Sequence, residues 1–355
     1  MIRAPRLASM AAITASSLLA SCTPELDDRA FQITGPRLLA IAATPAEAEP
    51  KAEVTFRALY VDPEGERARG DLAWAFCTAR KPLTEQGTVS SACVLESGPD
   101  LAALGSGASI TGALPDDGCR LFGPDRPAPV AGEPVGRAVD PDPSGGFYQP
   151  VRLRVRDGAV STAIGAARLA CGISGATPEQ AVDFGQRYRH NENPAIAALT
   201  IARAGSSTVI APDLPGAEVG ATVARGEHLT LRAAWDACPT APACGDGVCG
   251  ADETLAACEV DCKTPKGCQG SEQYAWFDPE SRVVSLRREA IRVAWFTTAG
   301  ALDTDSGGLS EDEADGHSTD NAWTAPSAAG EARIWLVVRD DRGGVGWQSY
   351  RVRVE

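Results

Sequence analysis

Aromatic residues make up only 6% of this sequence, histidine occurs three times and methionine twice. There is no G-x-S-x-G, no H-E-x-x-H and no phosphate-cradling glycine loop, so the common serine-hydrolase, zinc-protease and P-loop chemistries have no motif to rest on. No C-x-x-C occurs either, which removes a thioredoxin-like redox motif and weakens a zinc-ribbon reading. An excess of positive charge is also missing. The formal net charge is −14, and a nucleic-acid partner, which needs a basic face, is not expected. His190, His228 and His317 fall in a linker, on the polar side of a strand pattern and in an acidic loop, where polar side chains are ordinarily solvated. Carboxylates are plentiful, but nothing holds two of them across a cleft at the ~5–10 Å that glycoside hydrolysis needs. The expectation is a protein that is not an enzyme.

What is present is a globular composition, 44% hydrophobic and 23% charged, in 355 residues. At roughly 150 residues per domain that length predicts two domains. The 36 glycines and 25 prolines predict many turns and few long helices.

The chain opens with Arg3 and Arg6 and a small apolar run from Leu7 to Ala20, too short and too poor in large side chains for a good membrane span. The run ends in Leu19-Ala20-Ser21-Cys22. This resembles the lipobox of bacterial lipoproteins. The resemblance implies a signal peptide over residues 1–21, diacylglycerol on the Cys22 thiol, and cleavage that leaves Cys22 as an acylated N-terminus. The membrane is then a partner through lipid, since at ~0.8 kcal/mol per buried methylene two or three chains anchor firmly where one does not. Thr23 stands where some enteric bacteria use an acidic residue to retain lipoproteins at the inner membrane, so an outer-membrane destination is expected. Two arginines and no acid leave with the signal peptide. The exported chain carries 31 basic and 47 acidic side chains, a net of −16. A basic patch cannot be the tether on such a surface.

With Cys22 lipidated, ten cysteines remain, an even number that suits an oxidising compartment. Cys77, Cys93, Cys119 and Cys171 lie in the first half; Cys238, Cys244, Cys249, Cys258, Cys262 and Cys268 cluster in the second.

An internal repeat sets the architecture. Val54–Tyr60 matches Leu229–Trp235 at an offset of 175, Trp74 matches Trp295 at 221, and Leu153–Asp157 matches Leu336–Asp340 at 183. The segments alternate with period two, as in Val151-Arg152-Leu153-Arg154-Val155-Arg156, the signature of half-buried strands. Short alternating strands between Gly/Pro/Asp turns predict an all-β protein of two β-sandwiches, Ig-like or fibronectin-like, over residues 33–174 and 193–355. Residues 22–32 form the lipid-anchored linker. Between the copies, at 175–192, Thr177-Pro178-Glu179-Gln180 spells a helix start, with Thr as N-cap, Pro at the first helical position and Gln reaching back.

The second copy carries an insertion at 238–268, with Cys244-Gly245-Asp246-Gly247-Val248-Cys249 leading to Cys258 and Asp261-Cys262. It resembles the CGDGxC…C…DC modules of large exported bacterial proteins. With the lipobox, the whole pattern resembles lipoproteins of predatory and gliding soil bacteria such as myxobacteria, a likeness that carries no reaction with it. The insertion has too few apolar side chains for a core, so cross-links must order it. Six cysteines allow fifteen pairings and spacing does not choose among them. The expectation is an outer Cys238–Cys268 clasp with Cys244–Cys258 and Cys249–Cys262 inside it. Asp246, Asp252, Glu253 and Asp261 are the residues a Ca²⁺ would use here, but the EF-hand spacing is absent, and solvating the loop and capping its turns is the favoured role.

Six of the seven tryptophans lie in the second copy. Trp335 is out of phase with Ile334, Leu336 and Val338, so it points away from its own core, and Trp276 lies just beyond the cysteine module. Both are candidates for a binding surface, although packing beneath the insertion is the favoured reading. Taken together, the features predict a cell-envelope binding or scaffold protein with a protein or glycan partner. A carbohydrate-binding or envelope-processing accessory is the alternative.

Overall fold

The computed structural model describes residues 30–67, 71–80, 89–123, 143–239, 243–263, 267–313 and 316–355. The signal segment, Cys22 and most of the linker expected to follow it lie outside the described residues. Within Phe31–Glu355, which form one compact unit, the protein is all-β and built from two Ig-like sandwiches.

The first sandwich has one sheet of strands Arg37–Thr44, Glu53–Asp62, Gly65–Glu66 and Ser109–Ala113. Its facing sheet runs in the order Glu47–Ala48, Ala159–Ala170, Gly146–Asp157, Asp71–Cys77, Leu101–Ser106. The second sandwich repeats this plan. Ala198–Arg203, His228–Ala234 and Ser318–Thr324 are adjacent in one sheet. The other runs Ala221–Val223, Val345–Val354, Gly330–Asp340, Ile291–Thr297, Ser306–Leu309. In each copy a short strand joins the last strand in parallel, Glu47–Ala48 with residues 168–169 and Ala221–Val223 with residues 352–354. The repeat in sequence is therefore a repeat of strand order.

Period-two alternation places the cores. Val54, Phe56, Trp74, Leu153 and Val155 are buried in the first sandwich, and Leu229, Leu231, Trp295, Leu336 and Val338 in the second. Trp74 and Trp295 occupy equivalent strands, each buried between its two sheets. The helix Pro178–Arg187 begins with a full capping box: Gln180 N–H donates to Thr177 Oγ1 at 3.3 Å and Thr177 N–H to Gln180 Oε1 at 2.9 Å. Phe184 fixes it against Ala275 and Phe277 of a hairpin, Gln273–Asp278 with Val283–Arg288, that belongs to neither sandwich. The insertion in the second copy thus extends past Cys268 to this hairpin.

The outer faces of the two sandwiches close on each other. Leu39, Ala40, Leu59 and Val61, on the reverse of the first sandwich's sheet, pack with Trp335 and Val337 of the second. This corrects the expectation that Trp335 offers an exposed surface or lies under the cysteine module. Parity does turn it out of its own core, but the other sandwich covers it and leaves it 1% exposed.

Candidate functional site

Beside the apolar contact, charged groups are buried at the junction of the two sandwiches, the linker and the hairpin. Arg168 pairs with Glu47 at 3.1 Å, and Glu47 also accepts the Asn191 N–H at 2.8 Å and the Tyr188 hydroxyl. Arg342 pairs with Glu289 at 2.7 Å and with Glu272, and lies over the Tyr274 ring. The Tyr148 hydroxyl donates to the Arg342 carbonyl at 2.9 Å and so links the first sandwich to the second. Asp340 accepts from Gly344 N–H at 2.7 Å and from the Asn191 amide. Burial pushes the Asp340 carboxyl up to about 6, and burial, followed by the Arg168 charge, draws the Arg342 guanidinium down to about 10. Removing one member of the Arg168–Glu47 or Arg342–Glu289 pair would leave an uncompensated buried charge, which costs ~3–5 kcal/mol. The network therefore holds the sandwiches in one relative arrangement.

A cleft of about 800 Å³ opens where the two sandwiches diverge. Its floor is the outer side of Val345–Val354, including Trp347 and Ser349. Arg57, Glu64 and Glu66 line it from the first sandwich, and the Arg57 guanidinium lies 5.0 Å from the Trp347 ring centre, a cation–π arrangement. Asn193–Ile196 and the loop Asp213–Gly216 also line it. Asp213 is held by Arg351 at 2.6 Å and by Arg333, so it is engaged as a structural acid. Trp347 is half-buried and Arg57 exposed. Sequence reasoning singled out neither. The available signal was alternation in Val345–Val354, which puts Trp347 on the same face as Arg351 and Arg353, opposite Tyr350 and Val352 of the core.

The cysteine module is arranged differently from a cation site. The structure pairs Cys238 with Cys268, Cys244 with Cys258 and Cys249 with Cys262, and in the first sandwich Cys77 with Cys93 and Cys119 with Cys171. The buried Asp261 carboxylate accepts from Gly245 N–H at 2.6 Å and Gly247 N–H at 3.1 Å. Glu253 accepts from Gly250 N–H, Asp246 from Val248 N–H, and Asp252 pairs with Arg187 at 2.8 Å. Asp246 and Glu253 cap their own turns, Asp261 braces the distant Gly245–Gly247 turn, and Asp252 is held by an arginine. Asp261 does lie near Cys244 and Cys258, but those sulfurs are bonded to each other and cannot ligate a metal. Arg189 docks the module, donating to the carbonyls of Cys249 at 3.2 Å, Gly250 at 3.3 Å and Glu253. The module thus rests on the linker arginines rather than on tryptophan. Trp276 is half-buried in the hairpin, with its ring covered by the Arg287 guanidinium at 3.8 Å.

Among the described residues no helix is long and apolar enough to cross a membrane. No family model and no curated protein matches the chain. Solved structures with a remote likeness include the D0-D1 domain of Intimin, at 11% identity and TM-score 0.18 over 90% of this chain and 96% of that one. The Yersinia pseudotuberculosis adhesin InvE matches at 10% and 0.19 over 89% and 60%, and fibronectin(III)-like modules of Clostridium thermocellum CbhA at 8% and 0.18 over 89% and 94%. Likenesses this remote carry no argument about role, and the assignment of fold rests on the sheets themselves.

Proposed function

We propose that this is an exported, lipid-anchored binding protein of the cell envelope, without catalytic activity, and that its ligand site is the cleft between the sandwiches. The observation that carries this reading is the cleft itself. Its walls come from both sandwiches, and the buried charge network beside it fixes their spacing, so the site is pre-formed and a ligand does not have to order it. Half-buried Trp347 and exposed Arg57 sit among amide, hydroxyl and carboxylate side chains, a combination suited to recognition. The lipobox at Cys22 and the five disulfides support an oxidising, membrane-tethered location, with the outer membrane as the favoured destination.

Two measurements in intact cells test the reading. Radiolabelled palmitate should enter the wild-type chain and be absent from Cys22→Ser. A photo-crosslinking residue at Ser349 should give a discrete adduct that the same residue at exposed Val160 does not give. Identical adduct patterns at the two positions would remove the cleft as the site, and label in Cys22→Ser would remove the anchor. A glycan adduct at Ser349 would favour the carbohydrate-binding alternative, with Trp347 in the role that buried Trp335 cannot take.

A further inference from the structure

The floor of the cleft is a strand with an unfinished edge. Val345–Val354 pairs along one side with Gly330–Asp340 over its whole length, but on the other side Ala221–Val223 covers only residues 352–354. The bonds on that second side identify the residues that face it. Arg351 C=O accepts from Gly220 N–H at 3.1 Å, and Ser349 C=O from Asp213 N–H at 2.7 Å. Val345 N–H donates to Asn193 Oδ1 at 2.8 Å. All three are odd-numbered. In an antiparallel ladder alternate residues bond to opposite sides, so Trp347 turns both its N–H and its C=O to this edge. Between the anchors at Asn193 and Asp213 stand four main-chain groups in a row: Val345 C=O, Trp347 N–H, Trp347 C=O and Ser349 N–H. None has a partner among the described residues.

An open edge of this kind is a template for another strand, and folded proteins ordinarily cover it. Here the edge faces the cleft, and Val345, Trp347 and Ser349 all line it. A chain seated there would satisfy all four groups. Its residue opposite Trp347 would point to the same face as the Trp347 side chain, toward Arg57. Among the described residues Arg57 has no carboxylate partner, although Glu64 and Glu66 line the same cleft; its guanidinium lies over the indole. An acidic side chain at that position would complete it with a charge-assisted bond.

We infer that the cleft binds an extended peptide segment by strand addition to Val345–Ser349, with an acidic side chain received by Arg57. The inference rests on the cleft being the binding site and names its ligand class. Main-chain bonds supply affinity in this mode, and the side-chain position at Arg57 supplies selectivity.

The test uses the full exported chain carrying Cys22→Ser, with its disulfides formed, panned against random peptides of about eight residues, a common strand length. Selected peptides should share one acidic position. In calorimetric titrations, methylating the peptide's backbone nitrogens one at a time should weaken binding about tenfold or more at alternate positions only, because alternate amides face the protein. Arg57→Glu should weaken binding at least as much, and exchanging the acidic residue for Lys should restore it. Ser349→Pro removes one edge N–H at a place where proline does not break the ladder, and should lower affinity while leaving the melting temperature unchanged. Absence of any enriched peptide, methylation effects without alternation, or indifference to Arg57→Glu would each overturn the inference. A concentration-dependent dimer that blocks the peptides would make a second copy of the chain the occupant and overturn it too. A glycan adduct at Ser349 in cells, with no peptide bound in vitro, would leave the cleft as the site and end strand addition.

Discussion

Replacing Trp335 with Ala tests the joint between the sandwiches directly. The indole is 1% exposed and lies with Leu39, Leu59 and Val61 of the first sandwich and Val337 of the second. A tryptophan buries ~200–250 Å². At ~25 cal/mol per Å² that is about 5–6 kcal/mol, an upper bound because the unfolded chain already hides part of the surface. Truncation of buried aromatics costs ~3–5 kcal/mol, and the expected loss lies in that range. It falls on the interface, because neither sandwich core includes Trp335. Calorimetry of the Trp335→Ala chain should show two separated unfolding transitions where the wild type shows one, and small-angle scattering should show a larger radius of gyration. A single transition at the wild-type temperature, or a loss below ~1 kcal/mol (the scale of an ordinary surface substitution), would refute the packing described here. A surface-exposed, ligand-stacking Trp335 predicts the opposite outcome: unchanged stability and lost binding.

Four further outcomes follow from the geometry. The Asp340 carboxyl is pushed up to about 6 by burial, above its unfolded value of ~3.9, so its contribution to stability is complete below about pH 4 and is lost as pH rises through 6. Asp340→Asn keeps an oxygen to accept the Gly344 N–H and should be more stable than wild type by about 3 kcal/mol at pH 7.5, with a flatter stability profile from pH 4 to 7 in guanidinium titrations. Equal slopes in the two proteins would disprove it. Arg189→Ala should release the cysteine module from the linker while its disulfides hold, read as faster amide exchange over residues 249–253 with unchanged exchange in the sandwich strands. Thr177→Ala should cost about 1 kcal/mol through loss of the capping box, and Thr177→Ser should recover most of it. The four module acids are already engaged by N–H groups and Arg187, so the melting temperature should be the same in EDTA and in excess Ca²⁺, and a rise with Ca²⁺ would require ligands not recognised here.

Much of this molecule is written locally. Period-two alternation in Val151–Arg156 and Leu229–Trp235, and the cap at Thr177–Gln180, depend on neighbours a few residues apart, and such signals survive without tertiary context. The repeat at offsets of 175, 221 and 183 located both sandwiches and the insertion because matching strands occupy matching places in one strand order. Alternation also turned Trp335 out of its own core. What covers it was not legible, since parity specifies a face and says nothing of the element laid against that face. The same holds for the acids Asp246, Asp252, Glu253 and Asp261. Their types suit Ca²⁺ as well as turn capping, and only the folded positions of the Gly245, Gly247 and Gly250 N–H groups and of Arg187 separate the two. The cleft belongs wholly to tertiary structure. Trp347 and Arg57 are 290 positions apart in the chain, and they meet because two sheets pack back to back. The free edge beside them exists because Ala221–Val223 is only three residues long and the bonds from Gly220, Asp213 and Asn193 leave the stretch around Trp347 to face the opening. Sequence determined which segments extend and which sides are apolar, because those are properties of consecutive residues. Long-range packing decided which faces meet and which backbone groups are left over, because those depend on where distant segments stop.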